Sequence, residues 1–309
     1  MEEKIDNSYD LVIVGGGCAG YPAAIYAARF NLKTLVIAKE KGGLITTTHL
    51  VENYPGFISL TGQELADNLE NHVKANNVPI LNDIVSSIVR NDDDTFTVST
   101  DLEELEINCK AVVLATGTKH KHLGAPGEKE FTHKGVSYCA TCDGPFYKNK
   151  IVGIVGGGDS SAKEAMVLAQ NSKKVYMFVR SHLKAEPINI DRVRKIENIE
   201  IIEGVNVKEI KGDDSGVTSV DLDNGDNVEL TGLFIAIGQL PQSELGKSLG
   251  VECTKNGDII IDKLSCTNQS GVFAAGDVTD LPWKQGIVGA SEGSIAGYSA
   301  FEYINKKFN

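Results

Sequence analysis

Two stretches of the chain repeat one order of apolar and small residues. In the first, a short apolar run rich in β-branched side chains is followed by a glycine-rich segment, a helical pattern and a second apolar run, at residues 10–14, 15–20, 21–30 and 34–38. The same order returns at residues 151–155, 156–161, 162–169 and 175–179. Short apolar runs bounded by turn residues are typical of buried strands, so the pattern predicts two βαβ units.

The rest of the chain carries further strand and helix patterns. Thr61 and Glu64 have the spacing of a capping box, and they predict a helix that places Leu65, Leu69 and Val73 on one face. Strands are predicted at 79–108 (interrupted at 91–94), 111–115, 199–236 (with turns at 212–213 and 224–225), 233–237 and 272–277, and a last helix at 285–304. Strands that alternate with helices indicate an α/β fold.

The glycines give the first repeat a chemical meaning. The chain has 32 glycines in 309 residues, above the typical share of ~7%. Gly15, Gly17 and Gly20 lie between a predicted strand and a predicted helix, and Glu40 follows 20 residues after Gly20. Glycines in this context allow a pyrophosphate to approach a helix N-terminus, and the acid accepts hydrogen bonds from a ribose. The first repeat is therefore predicted to bind a dinucleotide, the alternative being that the glycines only shape the turn.

The second repeat differs at the ribose position. Gly156 and Gly158 are present, but Ser161 replaces the third glycine and Arg180 follows the second strand in place of an acid. Residues 171–195 contain seven basic and two acidic residues, a local net charge of +5. This segment is either a solvated charged face or a site for an anion such as a 2′-phosphate, and the sequence favours neither reading.

Net charge and hydropathy exclude other classes. The formal charge is −12, which argues against nucleic-acid binding. No apolar run approaches the ~18 residues of a membrane span. The acidic start at Met1, Glu2 and Glu3 lacks the layout of a secretory signal. We therefore expect a soluble, cytoplasmic protein of two domains.

One pair among the six cysteines is close in sequence. Cys139 and Cys142 form a CxxC motif followed directly by Asp143. A zinc site needs further ligands at matching spacing, so no metal is expected and a redox dithiol is the favoured reading. Asp143 is a candidate general acid/base for thiol–disulfide exchange. The others are expected to be structural: Cys18 as a filler beside the cofactor, Cys109 at a strand edge, and Cys253 and Cys266 without chemistry.

Together these motifs resemble the low-molecular-weight thioredoxin reductases of bacteria and archaea, which are FAD-dependent class II pyridine nucleotide-disulfide oxidoreductases. The resemblance covers essentially the whole chain. It is carried by the segments 15–20, 42–43, 46–48, 51–56, 115–117, 138–144 (YCATCDG), 156–158, 236–238, 273–278 and 284–285. The CATCDG hexapeptide between two dinucleotide motifs is its most specific part.

The resemblance implies a fold, cofactors and a reaction. Two Rossmann-like, three-layer ββα domains are expected: an FAD domain at 1–121 and 246–309, and an NAD(P)H domain at 122–245 inserted into it. A homodimer and a large rotation of one domain against the other are implied as well. Electrons would pass from NADPH through FAD to the Cys139–Cys142 disulfide and then to thioredoxin or a thioredoxin-like protein. Cys142 would face the flavin, Cys139 would attack the partner, and Asp143 would be the acid/base.

The resemblance also implies which residues bind the cofactors. The FAD contacts would be Gly15, Gly17, Gly20, Glu40, Gly43, Asn53, Val85, Thr116, Gly117, Gly276, Asp277, Gln285, Gly286 and Ile287. The NADPH contacts would be Gly156, Gly158, Ser160, Arg180, Lys184 and Gly238.

The segment after the second repeat departs from the family pattern. NADPH-using members carry a His-Arg-Arg triplet and a further arginine four residues on, whereas this chain has Phe178, Val179 and Arg180 and then Lys184. Valine replaces the first arginine, and lysine is a point charge where arginine is a bidentate fork. Losing one charge-assisted contact to a 2′-phosphate costs roughly 1.5–3 kcal/mol, or ten- to a hundredfold in affinity.

Three alternatives to an NADPH-dependent reductase stay open. Some relatives with a degraded triplet take electrons from another donor, such as ferredoxin or a reduced deazaflavin, and the basic segment 171–195 would also suit an acidic protein donor. The same groups acting in reverse would make a small-molecule dithiol oxidase that passes electrons to oxygen. A non-enzymatic flavin redox sensor is the third alternative, supported only by the altered triplet.

Overall fold

The computed structural model describes residues 5–48 and 51–308. The acidic start of the chain, on which the expectation about a secretory signal rests, lies outside these residues. The chain divides into two compact units, one formed by Met1–Lys119 and Leu240–Asn309 and the other by His120–Gln239. We call them the outer and the inserted unit. Within the described ranges, no helix combines the length and the hydropathy needed to cross a bilayer.

The strands are named in chain order. They are β1 (Ser8–Val14), β2 (Thr34–Ile37), β3 (Ile80–Leu81), β4 (Val85–Arg90), β5 (Phe96–Thr100), β6 (Glu106–Leu114), β7 (Thr118–His120), β8 (Val136–Ser137), β9 (Ile151–Val155), β10 (Lys174–Val179), β11 (Ile199–Glu203), β12 (Val207–Asp213), β13 (Gly216–Leu222), β14 (Asn227–Glu229), β15 (Gly232–Ile235), β16 (Gln239–Pro241) and β17 (Val272–Ala274).

The four predicted helices are present as α1, α2, α4 and α7, whereas the sequence analysis did not predict the shorter helices α3, α5 and α6. The α-helices are α1 (Gly20–Arg29), α2 (Gly62–Ala75), α3 (Ala140–Asp143), α4 (Asp159–Ala169), α5 (Pro187–Arg194), α6 (Glu244–Ser248) and α7 (Gly286–Phe308), and 3₁₀ helices span Gly43–Thr47 and Gly144–Tyr147. The capping box of α2 is confirmed, since the Glu64 amide donates to Thr61 Oγ1 at 3.1 Å and the Thr61 amide donates to Glu64 Oε2 at 2.7 Å.

The outer unit is built on one seven-stranded sheet. Its order is β3-β2-β1-β6-β5-β4, and β17 also pairs with β6. The strands β3, β2, β1, β6 and β17 run parallel, whereas β4 and β5 are antiparallel to their neighbours. Buried Tyr21 and Ala296 belong to the core on one face of the sheet, and buried Phe96 and Ile259 belong to the core on the other. The predicted strand at 111–115 is the second half of the longer strand β6.

The inserted unit contains a parallel sheet and an antiparallel sheet. The parallel sheet has the order β11-β10-β9-β15-β8, and the three-stranded sheet has the order β12-β13-β14. The helices α4 and α5 lie against the parallel sheet through an apolar core that includes Leu168, Met177 and Val193. The predicted α/β class with two Rossmann-like, three-layer units is confirmed.

Two local predictions were wrong. The turn expected at Gly212 and Asp213 lies two residues later, because both residues belong to β12 and Asp213 accepts hydrogen bonds from the backbone and hydroxyl of Ser215. Gly212 serves close packing instead, since a Cβ there would lie 2.3 Å from the Gly216 carbonyl oxygen and 2.5 Å from the Phe131 ring. Cys109 is not at a strand edge, because it lies within β6, where it pairs with Tyr9 of β1 and Phe96 of β5.

Candidate redox and nucleotide-binding sites

The first glycine turn brings strand and helix ends into close contact. Gly15 has a φ of +114°, and a Cβ there would lie 2.2 Å from the carbonyl oxygen of Ala115 at the end of β6. A Cβ at Gly20 would lie 1.8 Å from the Gly15 carbonyl oxygen. These two positions accept only glycine, because any side chain would collide with backbone atoms.

The second glycine turn repeats this geometry in the inserted unit. Gly156 has a φ of +147°, and a Cβ there would lie 2.4 Å from the carbonyl oxygen of Ala236 after β15. Ser161 is fully buried at the third position, and its hydroxyl donates to the Gly158 carbonyl at 2.8 Å. The serine therefore closes the turn by a hydrogen bond where the first turn uses a third glycine.

The middle glycine of each turn is open toward a ligand. A Cβ at Gly17 would make only an ordinary contact, 3.4 Å from the Gly42 carbonyl oxygen, and a Cβ at Gly158 would lie more than 4 Å from any other described atom. Packing within the protein does not require glycine at these positions. Both precede a helix of ten or more residues whose first amides have no intrahelical partner. The residues therefore fit the pyrophosphate of a dinucleotide in each unit.

Several of the residues predicted to bind FAD come together in the outer unit. Gly43 faces Gly17, since a Cβ at Gly43 would lie 3.8 Å from the Gly17 Cα. The Asn53 amide donates to Gln285 Oε1 at 3.2 Å, which joins two predicted contacts 232 residues apart. Gly286, at the start of α7, lies against Cys18 of the glycine turn, with 3.3 Å between its ideal Cβ position and the Cys18 sulfur.

The strand ends also meet the first glycine turn. Gly276 has a φ of +81°, and a Cβ there would lie 2.7 Å from the Cβ of Ala19. Burial raises the pKa of Asp277, and the positive charge of Lys284 opposes that effect. The Lys284 ammonium donates to the Asp277 carbonyl at 2.8 Å and pairs with Asp258 at 2.5 Å, so it fixes the backbone that presents Asp277.

Thr116 and Gly117 are held by a residue that the sequence did not single out. The Thr116 hydroxyl donates to the Gln242 carbonyl at 2.6 Å, and the Gln242 side-chain amide donates to the Thr116 carbonyl at 2.6 Å. The Gln242 backbone amide donates to the Gly117 carbonyl at 2.9 Å. Gln242 lies 126 residues from Thr116, so no local pattern could have indicated its role.

Three of the predicted FAD residues lie on the surface, on an edge strand or at the start of a helix: Glu40, Val85 and Ile287. Glu40 is exposed, three residues after the end of β2, and Val85 begins the edge strand β4. Ile287 is half-buried in the first turn of α7. Their assignment to FAD stays a prediction.

The CxxC pair forms a disulfide at the start of a short helix. Cys139 and Cys142 are bonded, with their Cα atoms 5.3 Å apart. Cys139 caps α3, and the Cys142 amide donates to the Cys139 sulfur at 3.2 Å. Both residues are half-buried. A backbone amide directed at a sulfur favours its thiolate over its thiol. The assignment of Cys139 as the attacking cysteine stays a prediction.

Asp143 is oriented by a buried serine. The Ser137 hydroxyl donates to Asp143 Oδ2 at 2.6 Å and accepts from the Cys139 amide at 3.1 Å. Ser137 lies at the end of β8 and is 5% exposed. It therefore connects the carboxyl group to the backbone of the first cysteine. No sequence pattern indicated this residue, because a serine in a strand carries no signal of its own.

The basic side chains after β10 are exposed, but Val179 is not. Val179 is 1% exposed, and its side chain lies under Gly157, where a Cβ would approach it to 2.7 Å. A side chain at this position points into the core of the inserted unit. Arg180, His182 and Lys184 are exposed in the segment that follows, and the Lys184 amide donates to the Gly157 carbonyl at 2.7 Å. The predicted contacts Arg180 and Lys184 thus lie beside the second glycine turn.

Two other predicted NADPH contacts flank this turn. Ser160 lies in the first turn of α4, and Gly238 has a φ of +100° directly before β16. Gly238 thus has the position after β15 that Gly117 has after β6.

The remaining cysteines are buried to different degrees. Burial raises the pKa of Cys109 and of Cys18 to about 12, and the Asp277 charge adds to the effect at Cys18. Burial, followed by the charge of Asp262, raises the pKa of Cys266 to about 11. None of these three thiols is activated. Among the described residues, no group of three or more His, Cys, Asp or Glu side chains is arranged to hold a metal ion.

Comparison with known proteins gives one family and several related structures. The family model described as pyridine nucleotide-disulphide oxidoreductase matches residues 9–297. The crystal structure of thioredoxin reductase from Streptococcus pyogenes MGAS5005 is 36% identical, covers 98% of this chain and 100% of its own, and has a TM-score of 0.91.

Curated relatives carry other names and are longer. The "NADH dehydrogenase" of Bacillus subtilis (strain 168) is 37% identical over 308 residues, which are 96% of this chain and 58% of that protein. A component of the alkyl hydroperoxide reductase of Escherichia coli (strain K12) is 37% identical over 310 residues, with the same two coverages. The chain thus spans less than two thirds of the length of these relatives.

Proposed function

The chain belongs to the pyridine nucleotide-disulphide oxidoreductase family, whose thioredoxin reductase members use FAD and NADPH, and on that premise we propose that it is a thioredoxin-disulfide reductase. The observation that carries the proposal is the Cys139–Cys142 disulfide beside Asp143, in a unit that also holds a glycine turn. Residues 1–119 with 240–309 would bind FAD, and residues 120–239 would bind the nicotinamide donor.

The described residues have distinct tasks in this reaction. Bound FAD supplies the two-electron transfer that links a nicotinamide to a disulfide. The Cys139–Cys142 disulfide takes up two electrons and two protons to become a dithiol. The Cys139 thiolate then attacks one sulfur of the partner disulfide, and Cys142 resolves the mixed disulfide, so that the partner leaves as a dithiol. Asp143, held by Ser137, accepts and returns the proton during this exchange.

Three residues of the inserted unit bear on the identity of the electron donor. Arg180 and Lys184 supply two exposed cations near the second glycine turn, which supports NADPH. Val179 contributes no charge and is buried, so a 2′-phosphate would meet fewer donors than the family triplet provides. We therefore propose NADPH as the donor, with a smaller preference over NADH than a complete triplet would give.

A donor screen under anaerobic conditions tests the proposal. The purified holoprotein is mixed with NADPH, NADH, reduced ferredoxin or reduced deazaflavin, and flavin absorbance and thioredoxin dithiol formation are followed. We expect bleaching within seconds with NADPH and catalytic reduction of thioredoxin. If only reduced ferredoxin or reduced deazaflavin bleaches the flavin, then that compound and not NADPH is the electron donor. Failure of all four to reduce the flavin would favour the sensor. In a separate aerobic assay, oxygen consumption with a small dithiol and no donor would favour the oxidase.

A second candidate function follows from the curated relatives. Since a relative at 37% identity is named as part of an alkyl hydroperoxide reductase, the same dithiol would in this case serve a peroxide-reducing partner in place of thioredoxin. Replacing thioredoxin in the assay by a thiol peroxidase and a hydroperoxide distinguishes the two. Faster donor consumption with the peroxidase alone would assign the protein to that system. We also propose a homodimer, which sedimentation equilibrium of the holoprotein tests.

A further inference from the structure

A second carboxyl group lies beside the redox disulfide. Glu164 belongs to α4, which packs against the redox helix α3, and the backbone amide of Ala140, the residue that follows Cys139, favours the ionised form of its carboxyl group. Its Oε2 atom is buried and has no hydrogen-bond partner in the part of the chain that the structure describes. Burying an ionised carboxylate oxygen without a partner costs free energy, because burial removes the water that would otherwise solvate its charge.

No cation among the described residues compensates Glu164. Burial and the Ala140 amide are the influences that act on it, and burial dominates, so the pKa of Glu164 rises to about 7. The ionisable groups on the elements packed against this part of α4 are Asp143 on α3, Tyr147 on the 3₁₀ helix, Lys174 and Tyr176 on β10, and Asp191, Arg192 and Arg194 on α5. Lys163 of α4 pairs with Asp159 at 2.6 Å. Lys174 of β10 pairs with Glu200 at 2.6 Å. These lysines are therefore already neutralised by other carboxylates.

Reduction of the Cys139–Cys142 disulfide creates a new negative charge on the helix that packs against α4. Two electrons and one proton convert the disulfide into one thiol and one thiolate. The Cys142 amide, which already donates to the Cys139 sulfur at 3.2 Å, favours the thiolate at Cys139. The backbone amide of Ala140, the residue next to Cys139, acts on the Glu164 carboxyl group. A negative charge that forms near a carboxylate raises the proton affinity of that carboxyl group.

We propose that Glu164 takes up a proton when the Cys139–Cys142 disulfide is reduced and releases it when the disulfide re-forms. This inference rests on the proposed function, in which that disulfide cycles. Two electrons and one proton give the thiol and the thiolate, and a second proton neutralises the Glu164 carboxylate. Glu164 does not touch the substrate; it acts through the redox helix and sets how the reducing power of the dithiol depends on pH.

The direction of the pH effect follows from this linkage. Well below pH 7 the carboxyl is protonated in both redox states, and it has no influence on the disulfide. Well above pH 7 an ionised Glu164 opposes the thiolate, so the disulfide is harder to reduce than it would be without the charge. If the thiolate raises the carboxyl pKa by about one unit, the effect on the reduction equilibrium is about tenfold at high pH.

The test is the equilibrium between the holoprotein and dithiothreitol from pH 6 to pH 9. The fraction of Cys139 and Cys142 in the dithiol form is measured by alkylation and mass spectrometry for the wild type, E164Q and the control E197Q. Glutamine keeps an oxygen for the Ala140 amide, and Glu197 is an exposed residue of the same unit. We expect the E164Q equilibrium constant to equal that of the wild type at pH 6 and to exceed it about tenfold at pH 9, whereas E197Q follows the wild type throughout.

A ratio of E164Q to wild type that stays constant from pH 6 to pH 9 would overturn the proposal. If E164Q does not fold, as judged by flavin content and circular dichroism, infrared difference spectra of the wild type at pH 8 replace it. A protonated carboxyl signal gained on reduction, and retained in D143N, supports the proposal, and its absence contradicts it. Neither experiment needs a nicotinamide or thioredoxin, so failure here is distinguishable from failure of the proposed function.

Discussion

Glu292 allows a quantitative prediction for the outer unit. It lies on α7, is 8% exposed, and its Oε2 atom accepts hydrogen bonds from the Gly276 amide at 2.8 Å and from the Thr279 hydroxyl at 3.1 Å. Both donors belong to the turn that presents Asp277. Replacing Glu292 with leucine leaves the buried Gly276 amide unsatisfied, at a cost of about 1–3 kcal/mol, whereas the Thr279 hydroxyl keeps the Gly276 carbonyl as an acceptor at 2.8 Å. A loss of about 2 kcal/mol in the free energy of unfolding would lower the melting temperature of a unit of this size by roughly 4–8 °C.

The assay is thermal unfolding of the holoprotein, followed by circular dichroism and by the rise in flavin fluorescence on release. The matched control is E292Q, whose amide oxygen can still accept both hydrogen bonds, and it is expected to lose less than about 1 kcal/mol. A melting temperature for E292L equal to that of E292Q would refute the reasoning, because the acceptor would then contribute nothing.

The same residue gives a pH dependence with a definite sign. Burial raises the pKa of Glu292 above its usual value of 4.5. The folded protein therefore binds more protons than the unfolded chain in the window above pH 4.5, and this contribution to stability is present below that pH and is lost as the pH rises. E292Q does not titrate, so the stability of the wild type relative to E292Q should fall between pH 4 and pH 7. A difference that rises with pH would contradict this sign.

Three further substitutions test the redox and nucleotide sites. Cys139→Ser should abolish thioredoxin reduction while NADPH still bleaches the flavin, and retained thioredoxin turnover would exclude the proposed exchange. Arg180→Ala should raise the KM for NADPH roughly ten- to a hundredfold and leave the KM for NADH unchanged. The exposed control Arg194→Ala should change neither KM. Equal effects of Arg180→Ala on both nucleotides would count against a 2′-phosphate contact. Ser137→Ala removes the 2.6 Å hydrogen bond to Asp143 and should slow single-turnover thioredoxin reduction about tenfold with flavin reduction unchanged; an unaltered rate would mean that Ser137 does not position Asp143.

The parts of the fold that were predictable from sequence have local causes. A glycine that must adopt positive φ beside a crossing backbone, such as Gly15 or Gly156, leaves a signal at its own position. The CxxC motif likewise needs only a helix turn to bring its sulfurs together. For this reason the two repeats, the redox pair and the capping box were all found from short segments.

The residues that were missed act across long sequence separations. Gln242 supports Thr116 from 126 residues away, and Glu292 supports Gly276 from the next helix. Glu164 and Glu292 also look like the solvated face of a helix in sequence, because burial of a polar residue is decided by tertiary packing. The wrong prediction at Gly212 has the same cause in part, since a Cβ there would collide with the Phe131 ring, 81 positions earlier in the chain, as well as with the nearby Gly216 carbonyl oxygen.

The central claim is that Cys139 and Cys142 carry electrons to a protein disulfide, and thiol trapping tests it most directly. The holoprotein is mixed anaerobically with one equivalent of NADPH, one portion is alkylated, and a second portion receives oxidised thioredoxin before alkylation. We expect both cysteines to be alkylated in the first portion and protected again in the second. A flavin that is reduced by NADPH while Cys139 and Cys142 remain a disulfide would contradict the claim.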